Sequence, residues 1–525
     1  MATEFNFLLI IIDIVYSWSR MLAALIISIL FSLAIGIFAA RNKKAESVII
    51  PVLDVFQSIP ILGFFPLVIL GVINLFPHDI MFGVNLGVII LIFTSMSWNI
   101  AFGVYEAVKS IPQDYIDLSN ISQSSSWNRI TSLYIPASLS RIAYNTQTSW
   151  AVGLFYLISS EILSLGSSSY QVKYGIGVAI VSYAEAGDWT GYAYAIAALI
   201  IAVVVWQFIF LREFSLWSER FKFVEEPTGA RRDALMKFYS WVNHRSISKL
   251  FLYTHDRGVT RFSSSLYILR RGWKYVIPIL AAIFVALEFS AIMSIPSALS
   301  HLPSSTVIIS DEGRVLFGLA FSFVRVWYVY AICVLVGVPL GISIALNGKL
   351  TTTATPMLEV VASIPAPALL PLIVSLFEKQ GEAVAAVIIF LGMFWYIIFN
   401  VMAGVRTLPS ELFELKREFQ ISRLQAWRNI YLPATLTAFV TGSITAIGAA
   451  WNTLIVAEYF QYQGSTPETQ VQYGIGKIIA VATYNGDFVT LTLAILSMTT
   501  LIVVFNLTVW RRVYHYTTKK YAYNR

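Results

Sequence analysis

Apolar residues run along this chain in long unbroken blocks, not in the every-second-residue alternation of a barrel strand. The first full-length block is Met21 to Ala40, closed by Arg41, Lys43 and Lys44. Others lie near 51–76, 81–103, 138–162 and 191–211, and then near 276–295, 316–346, 357–377, 382–404, 435–460 and 489–510. Each suits about 20 helical residues crossing a hydrocarbon layer about 30 Å thick. The pattern predicts an all-α polytopic membrane protein of about eleven spans. The short segment Phe5–Tyr16 either lies at the interface or begins a twelfth.

Basic residues fall between the blocks and set an orientation. Arg41/Lys43/Lys44, the loop around Lys109 and Arg129, the stretch 212–274, Lys349, the loop from Arg406 to Arg428 and the tail Arg511–Arg525 all thread to one side. That side is expected to be cytoplasmic, as are the linker and the C-terminus. Composition agrees: 57% of the 525 residues are hydrophobic and 12% charged, about half the charge of a soluble domain. The net charge of +7 resides in these loops, so no nucleic-acid partner is expected. The lone Cys333 lies inside an apolar block and reads as a packing residue. The N-terminus has no basic leader, and Asp13 interrupts its apolar run, so a cleavable signal is not expected.

The chain repeats itself. Arg20/Arg325, Gly36/Gly341, Pro51/Pro356, Asp54/Glu359, Pro66/Pro371 and the tripeptides Ser58-Ile59-Pro60/Ser363-Ile364-Pro365 pair at an offset of 305. Trp98/Trp395, Pro112/Pro409, Gln123/Gln420, Ser125/Ser422, Pro136/Pro433 and Glu161/Glu458 pair at 297. Tyr174-Gly175-Ile176-Gly177 and Tyr473-Gly474-Ile475-Gly476 pair at 299. The shifts fall near loops, where insertions are tolerated. Chance does not hold Pro, Trp, Gly and Glu in register over such a length. Three regions follow: a first transmembrane domain at 1–212, a basic linker at 213–275 and a second transmembrane domain at 276–525. The last contains an extra linking helix at 276–295, which returns the chain to its starting side, and a repeat from about 315. Parallel repeats imply a pseudo-two-fold axis along the membrane normal with a pathway between the halves.

The loop between the third and fourth spans of each half is the most specific motif. Ile111–Pro136 and Leu408–Pro433 share length and flanking prolines. Pro112 and Pro409 suit a first helical turn, with Asp114 and Glu411 near its positive end. Tyr115, Leu118 and Ile121, or Leu412, Leu415 and Phe419, recur at helical spacing. These loops resemble the EAA loop of permease subunits of ABC importers, which ends in Ile-x-Leu-Pro; here the endings are Leu133–Pro136 and Ile430–Pro433. Asp117-Leu118-Ser119 and Glu414-Leu415-Lys416 stand at the Glu-Ala-Ala position, and Gln123 and Gln420 replace the glycine. The stretches 53–70 and 358–375, and Ala457-Glu458, are similar to the nitrate/sulfonate/taurine group; the first half keeps only the acid, as Ser160-Glu161.

The resemblance covers roughly 20–212 and 315–512 and leaves the linker unexplained. It implies the type I importer permease fold and uptake of a small anion. It also implies a separate cytoplasmic ATPase dimer that binds the ATP and an extracellular solute-binding protein. With both halves fused, no second permease subunit is expected. Asp117, Leu118, Ser119, Gln123, Ser125, Pro136, Glu414, Leu415, Lys416, Gln420, Ser422 and Pro433 would then form the ATPase-coupling loops. Gln57, Ser58, Pro60, Glu161, Ser363, Pro365 and Glu458 are pathway or gate candidates, because prolines free backbone carbonyls and intramembrane acids need a reason. The bland alternatives are a shaping kink for the prolines and a packing hydrogen bond for the acids. For Asp54 and Glu359 the dull reading, acids favoured at a helix N-terminus, leads. For Arg20 and Arg325 it is snorkelling to headgroups. No P-loop, HExxH or CxxC occurs, so no catalytic, cofactor or metal site is expected in this chain. An ion-coupled carrier with parallel repeats is the competing class; it would leave the matched loops without a role.

Overall fold

The computed structural model describes residues 7–58, 60–122, 125–162, 172–218, 221, 305–377, 380–406, 408, 410–459 and 471–521. The linking block at 276–295, nearly all of the linker, Gln123 and Pro409 lie outside them. Among the described residues all regular structure is helical. The first half contains α1 (Phe7–Arg41), α2 (Lys43–Ser58), α3 (Ile61–Leu75), α4 (Ile80–Lys109), α5 (Gln113–Ile121), α6 (Ser126–Arg129), α7 (Ile135–Ile162), α8 (Ile176–Glu185), α9 (Trp189–Val205) and α10 (Arg212–Ser218). The second half repeats this order. It contains α11 (Ser305–Leu346), α12 (Gly348–Ala362), α13 (Leu370–Leu376), α14 (Gly381–Arg406), α15 (Ser410–Glu418), α16 (Arg423–Ala426), α17 (Leu432–Glu458), α18 (Ile475–Asn485), α19 (Phe488–Phe505) and α20 (Arg511–Tyr521).

Seven helices among the described residues are long and apolar enough to cross a membrane, α1, α4 and α14 among them. The structure revises one reading of the pattern and places the breaks of two others. From Phe7 onward, the segment taken as a separate short piece is the first part of α1. No proline or glycine interrupts it before Gly36, so the helix simply continues. The blocks near 51–76 and 357–377 are each broken in two. Pro60 precedes α3 with extended ψ of 96°, and Pro365 precedes a 3₁₀ turn, Ala366–Leu369, with ψ of 126°. A proline lacks the N–H that would continue the helix and pushes its predecessor toward extended geometry.

The same helix pairs form the core of each half: α1 against α4 and α4 against α7, then α11 against α14 and α14 against α17. Close approach depends on glycine. A Cβ on Gly36 would lie 2.7 Å from Val104, and one on Gly341 would lie 3.1 Å from the equivalent Val401. One pair is exchanged between the halves. Gly103 on α4 sits under Asn145 of α7; at the matching positions Asn400 on α14 sits over Gly442 of α17. Both asparagines donate to equivalent carbonyls, Asn145 to Asn99 O at 3.1 Å and Asn400 to Tyr396 O at 2.8 Å. The contact is kept while the helix that supplies it changes. Across the halves, the Tyr192 hydroxyl of α9 donates to Ala368 O beside the second broken helix, at 3.0 Å.

Candidate functional site

Between the halves lies a cavity of about 980 Å³. Gln57 from the first broken helix and Ser363, Pro365 and Ala366 from the second line it, so the helix breaks face shared space. Equivalent residues meet there from both sides: Trp98 and Trp395, Thr148 and Thr445, Gln207 and Asn506. The last pair is presented by π-helical segments, Trp206–Leu211 and Asn506–Trp510, in which one extra residue per turn rotates the helix face. Other polar lining groups are mostly uncharged, such as Asn99, Gln147 and Asn452; the exceptions are Glu359 and Arg406. Pro60 is buried at the start of α3, and Ser58 ends α2, its side chain outside the described set.

Glu161 and Glu458 do not line the cavity. Each is fully buried at the end of α7 or α17. Glu161 accepts from Ser17 Oγ at 2.7 Å, Arg20 Nη1 at 2.7 Å and the Gly177 N–H at 2.8 Å. Arg20 also donates to Asn85 Oδ1 at 2.8 Å and to Tyr174 O at 2.6 Å. In the second half, Glu458 accepts from Ser322 Oγ at 2.5 Å, from the Gly476 N–H at 2.7 Å and from Arg325. Arg20 and Arg325, which the sequence reading sends to headgroups, are 4% and 2% exposed: the buried acids hold them inside. The repeated Tyr-Gly-Ile-Gly now has a cause. A Cβ on Gly175 would fall 2.5 Å from the Glu161 carboxyl carbon, and one on Gly177 would fall 2.8 Å from its Cβ. Only bare backbone fits against the acid. The two clamps differ at one position: Asn85 in the first half is replaced by Glu382 in the second, which pairs with Arg325 at 2.6 Å.

At the opposite end of the bundle, the paired loops form short helices. On α5, Tyr115, Leu118 and Ile121 are exposed, Leu118 by 63%. On α15, Leu415 is 42% exposed and Phe419 is exposed beside it. Asp117 and Glu414 face solvent; the Gln113 amide donates to Asp117 at 3.0 Å. Ser119 caps back to Ile116 O, and Lys416 donates to the Tyr431 hydroxyl at 3.2 Å. Ser125 and Ser422 are N-caps of the following helical turns, accepting from Asn128 and Gln425 N–H groups, which explains their pairing in sequence. Pro136 and Pro433 lie in the first turns of α7 and α17. Gln420 has φ of 47°, the left-handed region that glycine enters without a Cβ penalty. In each loop a π-helical segment, Ile130–Tyr134 or Trp427–Tyr431, joins the short helices to the long one.

Comparison with known proteins bears directly on this arrangement. Residues 32–214 and again 337–514 match the family described as binding-protein-dependent transport system inner membrane component. The chain belongs to that family, in duplicate. One match falls in each copy of this permease's sequence repeat. Relatives include the nitrate import permease protein of Leptolyngbya laminosa, 30% identical over 28% of this chain and 53% of the relative. The bicarbonate transport system permease protein of Synechococcus elongatus is 30% identical over 26% and 49%. The taurine transport system permease protein of Escherichia coli is 30% identical over 27% and 50%. The chain spans about half the length of the curated relatives it matches.

Sequence reasoning located Arg20, Glu161 and the glycine motif separately and did not join them; Ser17 and Ser322 escaped it. Both serines obey the offset of 305, so a denser search of the repeat would have found them.

Proposed function

We propose that this permease forms both membrane halves of an ATP-driven importer for a small anion. The carrying observation is the pair of equivalent helices, α5 and α15, that leave apolar side chains in solvent at the same end of the bundle. A helix offering Leu118 or Leu415 suits an apolar groove, as in helix-in-groove recognition. The partners are an ATPase dimer, which binds the ATP, on that face and a solute-binding protein on the other. The linker and C-terminus are cytoplasmic, and the chemistry of hydrolysis belongs to the partner. Two of the relatives above are named for the anions nitrate and bicarbonate, and the cavity offers a cation to such a solute: the arginines neutralise both buried acids outside it, and Arg406 lines it among amides and hydroxyls, with the acid Glu359 in the same wall. The clamps serve the outer gate by holding α8 and α18 in place.

The test is co-purification from native membranes with partners identified by mass. The native chain should bring down a P-loop ATPase. The Leu118→Asp/Leu415→Asp double variant should lose it while inserting normally, since a charge against an apolar groove is costly. Unchanged ATPase recovery and uptake would remove the assignment. A cysteine at Thr518 should resist a membrane-impermeant reagent in intact cells; labelling from outside would invert the topology.

A further inference from the structure

A second opening lies on the flank of the second half and adjoins the shared cavity across Trp327, which lines both. It is a groove of about 460 Å³ lined by Trp327, Tyr330, Ala331, Val334 and Leu335 of α11 and Phe439 of α17. Its lining is apolar because the one hydroxyl is turned away: Tyr330 donates to Ser443 Oγ at 2.9 Å. Leu335 is 75% exposed on its rim. Both contributing helices belong to the membrane bundle, so hydrocarbon is what meets this groove.

Trp510 closes one side. Its ring lies 6.5 Å from those of Trp327 and Tyr330. Its indole N–H is buried without an acceptor among the described residues. Immediately after it the apolar run ends and α20 begins with Arg511 and Arg512, both exposed; Lys519, seven residues beyond Arg512 and on the same helix face, is exposed too. No carboxylate pairs with any of the three among the described residues. At the equivalent place in the first half, Glu213 stands where Arg512 would, so the cationic pair belongs to the second half alone.

We infer that this groove and the start of α20 form a binding site for an anionic phospholipid, with an acyl chain along Trp327–Leu335 and the headgroup phosphate on Arg511 and Arg512. An apolar slot facing hydrocarbon selects a chain but not a charge. Two adjacent cations at the end of the apolar run select a negative headgroup.

The full chain, purified in mild detergent, is exposed to equimolar phosphatidylglycerol and phosphatidylcholine, and retained lipid is counted by native mass spectrometry. The native chain should retain phosphatidylglycerol preferentially. Arg511→Gln/Arg512→Gln should lower that retention by about tenfold or more, as expected for loss of two interfacial cations. Ala331→Trp, which fills the groove and leaves the cations in place, should lower it as well, with both variants still eluting as single species. Equal retention of the two lipids by the native chain would overturn the site. So would unchanged retention in the charge variant. Loss in the charge variant with none in Ala331→Trp would reduce it to general surface attraction and overturn the groove.

Discussion

At the residue scale, the exchanged pair Gly103–Asn145 and Asn400–Gly442 is informative because the duplicated halves have solved one packing problem twice. The constraint is one amide and one gap per helix contact, with the amide reaching a fixed carbonyl. Gly103→Asn alone places two amides in space for one. Overpacking of this kind costs about 1–3 kcal/mol, so the melting temperature of the purified chain should fall. Adding Asn145→Gly should restore most of it, because the first half then has the arrangement of the second. A double variant no more stable than the single would mean the amide is needed on α7 for another reason. A second residue-scale difference concerns Glu46. Lys109 hydrogen-bonds it at 2.7 Å, and together with the Tyr105 hydroxyl holds its carboxyl below the ordinary value. The pair therefore persists above the ordinary carboxylate range and is lost only as pH falls through the depressed value.

At the scale of elements, the buried clamps bind three helices at once: α8 is held to α1 and α7 through Arg20, Ser17 and Glu161, and α18 to α11 and α17 through Arg325, Ser322 and Glu458. Arg20→Met leaves the Glu161 carboxylate buried without its cation, a loss of about 3–5 kcal/mol by analogy with other broken buried pairs. Arg20→Met/Glu161→Met removes both charges and should be the more stable of the two. Thermal unfolding in detergent measures the order; a double variant less stable than Arg20→Met would show that Glu161 supports the fold independently of its arginine. The elements themselves were largely legible in the sequence. Apolar blocks marked the spans, the prolines marked the interruptions, and equal loop lengths marked α5 and α15. What was not legible is which polar side chains face one another. Arg20 and Glu161 are 141 residues apart, and a one-dimensional pattern puts Arg20 before one apolar block and Glu161 at the end of another without showing that the interior of α1 meets the end of α7. The left-handed Gln420 was hidden for a similar reason. Glutamine there signals nothing by itself, and only the surrounding turn imposes the conformation.

At the scale of the whole molecule, duplication made a cavity with two-fold lining and then unequal charge. The sequence repeat made the shared space an expectation, and the broken helices do meet there. The polar inventory of its wall depends on helix rotation, including the π-helical segments that present Gln207 and Asn506, and no periodicity rule places those. The inequality is clearest at one equivalent pair. Lys109 ends α4 paired with Glu46 at the surface, whereas Arg406 ends α14 lining the cavity, with a 2.9 Å hydrogen bond to Thr355 and the acid Glu359 within electrostatic reach. If the transported solute is an anion, these two cations cannot contribute equally, although the repeat makes them equivalent. A hydrogen bond to a charged group is worth about 1.5–3 kcal/mol. Arg406→Gln should therefore lower uptake by about tenfold or more in vesicles that contain the full importer, with ATPase recovery unchanged. Lys109→Gln should have a much smaller effect on uptake, since its charge already belongs to Glu46. Arg406→Lys should recover part of the rate by keeping the charge without the planar fork. Equal losses at the two positions would mean that both cations act on the solute or that neither does, and an undiminished rate in Arg406→Gln would remove Arg406 from the anion's path.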